Sequence, residues 1–168
     1  GNDTFILGAD AETVDGGDGI DTLDFRTSTG VWVSLDNTFE NSGRADGDTY
    51  VNIENVYGSG FRADRIFGND DANELSGNGG EDLLIGKGGN DRLSGGYGLD
   101  TLSGEGGSDA FVFNDLGEMG DLITDFTNGA GNDDSIRISA SIGGGLSVGM
   151  SLIGRFVVRA DNSAQDAD

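Results

Sequence analysis

The chain has no cysteine and no histidine, and it sets only 9 Lys+Arg against 31 Asp+Glu, a formal net charge of −22 over 168 residues. Without cysteine there are no disulfides, and without histidine as well a zinc site has lost its usual ligands. The same absences remove the Ser/His and Cys/His pairs on which nucleophilic catalysis is built. So few basic residues argue against nucleic acid as a partner, because phosphate is held by Lys and Arg, and against anionic membrane surfaces. No stretch approaches the ~18 apolar residues of a membrane span. Gly1–Asp10 shows neither the basic nor the long apolar region of a signal peptide.

What is abundant is glycine, 32 residues, and it is periodic. Residues 68–112 divide into five blocks of nine: GNDDANELS, GNGGEDLLI, GKGGNDRLS, GGYGLDTLS and GEGGSDAFV. Every block opens with Gly. The sixth place holds Asn73, Asp82, Asp91, Asp100 and Asp109, and the eighth Leu75, Leu84, Leu93, Leu102 and Phe111. A fixed period marks one structural unit stacked on its neighbours. Six glycine-rich residues suit a tight turn. The last three alternate polar, apolar, polar, as in Arg92-Leu93-Ser94, the pattern of a short strand with one buried side chain. Two blocks then make one coil, and strands 18 residues apart lie side by side and parallel.

One apolar side chain in nine is a thin core for so many ordered residues. The stacking also brings Asp82 near Asp100 and Asp91 near Asp109, and like charges at close range repel unless a cation lies between them. A hard divalent cation, held by carboxylates and loop carbonyls, supplies both the missing attraction and the missing charge. Calcium fits best, because it takes 6–8 oxygen ligands in flexible geometry at about 2.3–2.6 Å.

This stretch closely resembles the GGxGxDxUx nonapeptide repeats of RTX proteins, the secreted hemolysin-type calcium-binding family, where U is large and apolar. Gly95–Ser103 (GGYGLDTLS) fits at every place, as does Gly16–Asp24 (GGDGIDTLD). The resemblance implies an all-β fold, a right-handed parallel β-roll with several Ca²⁺ ions between turns. It also implies the ligands. These are loop carbonyls from the first four places, here Gly16, Asp18, Gly68, Asp70, Gly77, Gly79, Gly86, Gly88, Gly95, Tyr97, Gly104 and Gly106. With them come the sixth-place side chains Asp3, Asp21, Asp64, Asn73, Asp82, Asp91, Asp100 and Asp109. Asp3 and Asp21 are expected to face one ion. The site of Ser59–Phe67 is expected to be weak, because Phe61 and Arg62 replace loop glycines, although Asp64 can share an ion with Asp82. Asn73 keeps an oxygen but no charge, so its site with Asp91 is expected to be the weaker one. Leu7–Asp15 is a degenerate block whose Glu12 has no evident partner.

The roll is expected over residues 1–112, with 25–57 an insertion lacking ion loops and 59–112 the main run. In the insertion Val31, Val33 and Leu35 should face one way, Thr38–Asp48 should be a surface loop, and Val51, Ile53 and Val56 should point inward. Residues 113–168 are expected to form a β-rich C-terminal cap, secretion-related and truncated. Asp121-Leu122-Ile123-Thr124-Asp125-Phe126 and Asp134–Ser139 resemble the closing segment of RTX proteins related to serralysin peptidases. Asp121 stands to Ile123 as a repeat Asp stands to its apolar partner, and is expected to bind the last ion. Gly143–Gly149 reads as a turn and Phe156-Val157-Val158 as a strand. The chain opens in mid-repeat, as a fragment of a longer protein would.

The expected function is a calcium-binding module, extracellular and non-catalytic in itself, that folds outside the cell and supports type I secretion and stability of a larger secreted protein. Missing disulfides are no objection, because a secreted domain held by metal does not need them. The alternative is a calcium-dependent adhesin or carbohydrate-binding module with polysaccharide as its partner, using aromatics such as Trp32, Tyr50, Tyr57 and Tyr97. Nucleic acid and membrane insertion are not expected. A phosphate cradle is disfavoured by the Asp in each loop, and an EF-hand by the lack of the closing Glu after Asp46-Gly47-Asp48.

Overall fold

The computed structural model describes residues 1–118, 120–129, 132–139 and 157–158. Where the sequence alternates around one apolar residue, it forms strands of two to six residues. They assemble into two main sheets, all of whose pairings are parallel. The first runs in the order β1 (Thr4–Phe5), β3 (Thr22–Asp24), β6 (Asn55–Tyr57), β8 (Glu74–Gly79), β10 (Arg92–Tyr97), β12 (Ala110–Phe113), β16 (Ser135–Ile138). The second runs β17 (Val157–Val158), β13 (Leu122–Ile123), β11 (Thr101–Ser103), β9 (Leu83–Ile85), β7 (Arg65–Phe67), β4 (Trp32–Ser34). From β7 to β13 the chain crosses from one sheet to the other at every strand, which is the winding of a parallel β-roll.

The nine-residue period sets the register. Leu75 pairs with Leu93, Leu93 with Phe111, and Leu84 with Leu102. Each eighth-place side chain is therefore stacked on its equivalent one coil away. Ile66, Leu75, Leu84, Leu93, Leu102 and Phe111 are fully buried in one continuous core. The closing segment extends both sheets: Ile123 pairs with Leu102, and Ile136 with Phe111. It also adds an antiparallel hairpin of β14 (Asn128–Gly129) and β15 (Asn132–Asp133). Val157–Val158 pair with β13 as expected of a strand; the expected turn Gly143–Gly149 and the tail Arg159–Asp168 lie outside the described residues.

The insertion is a double-width coil. Its first strand, β4, continues the second sheet below β7, and its second, β5 (Thr49–Val51), pairs instead with β2 (Thr13–Asp15). Two asparagines stitch the gap. Asn37 exchanges hydrogen bonds with the Tyr50 backbone at 2.8 and 2.9 Å, and Asn41 accepts from Ser34 N–H and donates to Asp48 O. Val31, Val33, Leu35, Ile53 and Val56 are buried as the alternation requires. Val51 is not: it is 47% exposed, and Tyr50 is buried in its place. The pairing of Val14 with Tyr50 decides this, since a strand's inward face is set by its partner's register. Thr38–Asp48 is likewise only partly a surface loop. Asn41, Ala45 and Asp48 are buried, so this excursion lines part of the core. Among the described residues no helix is long and apolar enough to cross a membrane.

Candidate metal centre

The sixth-place side chains form a ladder along each edge of the roll. On one edge Asp64 N–H donates to Asp82 Oδ1 and Asp82 N–H to Asp100 Oδ1, both at 2.8 Å, and Asp100 N–H to Asp121 Oδ1 at 3.0 Å. On the other, Asn73 N–H donates to Asp91 Oδ1 and Asp91 N–H to Asp109 Oδ1 at 2.8 Å, and Asp109 N–H to Asp134 Oδ1 at 3.0 Å. Asp3 N–H donates to Asp21 Oδ1 at 2.6 Å. Each carboxylate thus spends one oxygen on the backbone of the preceding coil. In six of them the other oxygen is left over. Oδ2 of Asp21, Asp82, Asp91, Asp100, Asp109 and Asp121 is buried and has no hydrogen-bond partner among the described residues. These residues are at most 3% exposed, and an unsatisfied buried charge is costly.

Four of the free oxygens, those of Asp82, Asp91, Asp100 and Asp109, lie against the glycine that opens their own loop. At Gly77 a Cβ would come within 2.6 Å of Gly95 O, the equivalent carbonyl one coil on, and closer still to Asp82 Oδ2. Gly86, Gly95 and Gly104 are seated in the same way against Asp91, Asp100 and Asp109. Glycine is required there because carboxylate and carbonyl oxygen converge on the space a side chain would fill. Burial pushes Asp82, Asp91 and Asp121 up to about 7 and Asp100 up to about 6, and it raises Asp109 too. Neighbouring carboxylates add to the effect: Asp100, Asp64 and Asp121 on Asp82, and Asp109 on Asp91. Without positive charge nearby these groups therefore resist ionising.

The donor set is wholly oxygen, which suits a hard cation such as calcium. Among the described residues no three acidic side chains gather at one point, so an ion here would draw most of its oxygens from backbone carbonyls. Among the third-place residues, Gly79 pairs with Tyr97 and Gly88 bridges Gly106, while Asp70 packs against Gly88. Asp18 O accepts from the Gly1 amino group.

Two expected members differ from the rest. Asp64 has both oxygens satisfied, Oδ1 by Val31 N–H at 2.7 Å and Oδ2 by Ser59 N–H at 2.6 Å. Asn73 holds its oxygen against Gly68, where it accepts from Asn69 N–H, and leaves its buried Nδ2 without a hydrogen-bond partner among the described residues. Asp3 is exposed and joins the ladder through its N–H.

Several participants went unseen in the sequence. Gly58, just ahead of Ser59–Phe67, takes the loop-opening position itself, with Asp64 Oδ2 and Gly77 O close to where a Cβ would stand. Glu12 N–H finds Asp48 Oδ1, 36 residues on, and Asp48 Oδ2 accepts from Tyr50 OH. Asp134 completes one ladder. Asp125 closes the last loop by accepting from Gly104 N–H, Glu105 N–H and Ser103 OH. The signal for Asp125 and Asp134 was present in the closing phrases, but their spacing is not that of the repeat.

A family model described as the RTX calcium-binding nonapeptide repeat matches four copies, at residues 1–23, 59–93 and 85–115. No curated protein matches the chain.

Proposed function

The chain carries RTX calcium-binding repeats, and from that footing we propose that it is a module that folds on extracellular calcium and supports export and stability of a larger secreted protein. The observation that supports this most is the set of six buried aspartate oxygens with no hydrogen-bond partner among the described residues. Calcium, when bound, supplies the positive charge those oxygens lack. The chain's own part is to hold carboxylate and carbonyl oxygens at coil spacing and to keep side chains out of the gap. At submicromolar calcium a chain of net charge −22 repels itself and remains open enough to be threaded through an export channel. At millimolar calcium, binding to the folded state alone draws the equilibrium over.

The test is far-UV circular dichroism across a calcium titration at neutral pH. Little strand signal in chelator and a cooperative return at millimolar calcium are expected; a chain equally folded in chelator overturns the reading. Asp100→Ala should raise the calcium midpoint at least tenfold, since it removes one partnerless oxygen and the acceptor of Asp82 N–H together. An unchanged midpoint would mean that the sixth place is not where ions bind.

A second reading, carbohydrate binding, draws on one feature of the insertion. A groove of about 420 Å³ lies between Trp32 and Phe39, with Phe67, Arg65, Glu40 and Asn41 along it. Trp32 is 48% and Phe39 57% exposed, and Arg65 stacks over the Trp32 ring at 4.7 Å. A glycan array in which binding is lost in Trp32→Ala would favour this reading.

A further inference from the structure

Asp21 differs from the other aspartates with a free oxygen, because the coil stacked on it is not a repeat. It holds the sixth place of a well-formed block, Gly16–Asp24, yet the next coil on its edge arrives 33 residues later, at the turn Asn52–Glu54 between β5 and β6. That turn lies outside the stretches matched by the repeat family.

The backbone nevertheless treats it as a loop. Gly16 N–H donates to Val51 O at 3.0 Å, just as Gly68 N–H donates to Ile85 O and Gly86 N–H to Ser103 O. Asn52 therefore stands where a repeat has its opening glycine. Its carbonyl oxygen takes the place beside Gly16 that Gly86 O takes beside Gly68 and Gly95 O beside Gly77. Asn52 adopts a left-handed φ of 54°, held by its Nδ2 donating to Asp15 Oδ1 at 2.8 Å. Glu54 then fills the sixth place: its Oε2 accepts Asp21 N–H at 2.8 Å, the bond that aspartate Oδ1 accepts elsewhere. The turn is three residues shorter than a repeat loop would make it by this reckoning of places, and the longer glutamate arm makes up the reach. Asp21 itself is wholly buried, with Oδ2 unpartnered and its carboxyl carbon against Gly16. Among the described residues neither Asp21 nor Glu54 enters an ion pair with Lys or Arg.

We propose that Asp21, the Asn52 carbonyl and Glu54 form a further divalent-cation site, half built from a repeat and half from a turn that carries no repeat signature. The inference rests on the calcium reading above. It reassigns the free Asp21 oxygen from an ion shared with Asp3 to one shared with Glu54. The site ties the insertion to the first repeats by metal, so the double-width coil is closed by the same chemistry as the tandem run.

Calcium stoichiometry by isothermal titration on the whole chain at pH 7.5 tests this, with strand signal at millimolar calcium checking that each variant folds. Glu54→Gln keeps an acceptor for Asp21 N–H and removes the charge. It should lose one calcium equivalent, or bind it at least tenfold more weakly. Asp21→Asn should lose the same equivalent, and the double variant no more than that one. Asp3→Asn should bind as the wild type does. If Glu54→Gln does not fold, Glu54→Asp, which keeps the charge on a shorter arm, replaces it with the same readout. Full stoichiometry at wild-type affinity in the Glu54 variant overturns the site, as does loss of two equivalents in the double variant. A wild-type chain that takes up no calcium overturns the calcium reading as well.

Discussion

Gly98→Ala should leave a chain that millimolar calcium no longer folds. A Cβ at this position would fall inside the Gly80 carbonyl oxygen, and the backbone sits at φ +148°, which side chains of L residues rarely adopt. The clash is with backbone one coil away, so no side chain can swing aside to relieve it. Relief requires the coils to separate, and separation would pull apart the β10–β8 and β11–β9 pairings that flank the loop. Domains of this size have only about 5–15 kcal/mol of stability to lose. Gly17→Ala is the matched control: its φ is +77° but nothing lies within 4 Å of the added carbon. That variant should lose only about 1 kcal/mol to local strain and shift the calcium midpoint slightly. A Gly98→Ala midpoint within twofold of wild type would show that the coils have slack the geometry denies.

In calcium-free buffer, lowering the pH from 8 to 5 should increase the strand signal. The buried carboxyls of Asp82, Asp91 and Asp121 sit up to about 7 and that of Asp100 at about 6, raised first of all by burial. A carboxyl whose proton affinity is higher folded than unfolded stabilises the fold at low pH, and that contribution is lost as pH rises through the folded value. The window is therefore from about 4, the unfolded range, to about 7. Each tenfold change in proton affinity is worth about 1.4 kcal/mol, so ionising these four weighs against ion-free folding at neutral pH. With calcium present the sign reverses, because protons and ions compete for the same oxygens. The calcium midpoint should rise roughly tenfold per pH unit below about 6 for each proton displaced. An ion-free chain whose strand content is flat from pH 8 to 5 would contradict the burial of these carboxyls.

The tandem run was legible in the sequence because period, apolar place and acidic place all repeat at fixed intervals, and register follows from them. The insertion was not. Val51 looks inward on local alternation, but β5 takes its register from β2, whose Thr13, Val14 and Asp15 pair with Thr49, Tyr50 and Val51. Glu54 was passed over because its partner Asp21 is 33 residues away across a turn of the wrong length. Asp134 was missed because it lies 25 residues from Asp109, where a period of 18 places nothing. Composition also led to too thin a core at this end. Phe25, Val31, Val33, Leu35, Tyr50, Ile53 and Val56 bury an oily interior that the blocks of nine do not have.

The ladder points one way. In every rung the amide belongs to the earlier coil and the accepting carboxylate to the later one, from Asp3 with Asp21 to Asp100 with Asp121 and Asp109 with Asp134. The stack accordingly has a head and a tail that are not interchangeable. Trimming it from the early end leaves every remaining sixth-place amide with its carboxylate, whereas trimming from the late end takes that carboxylate from the coil just exposed. In a chain that emerges amino end first, each coil therefore gains its carboxylate acceptor only once the coil after it is in place.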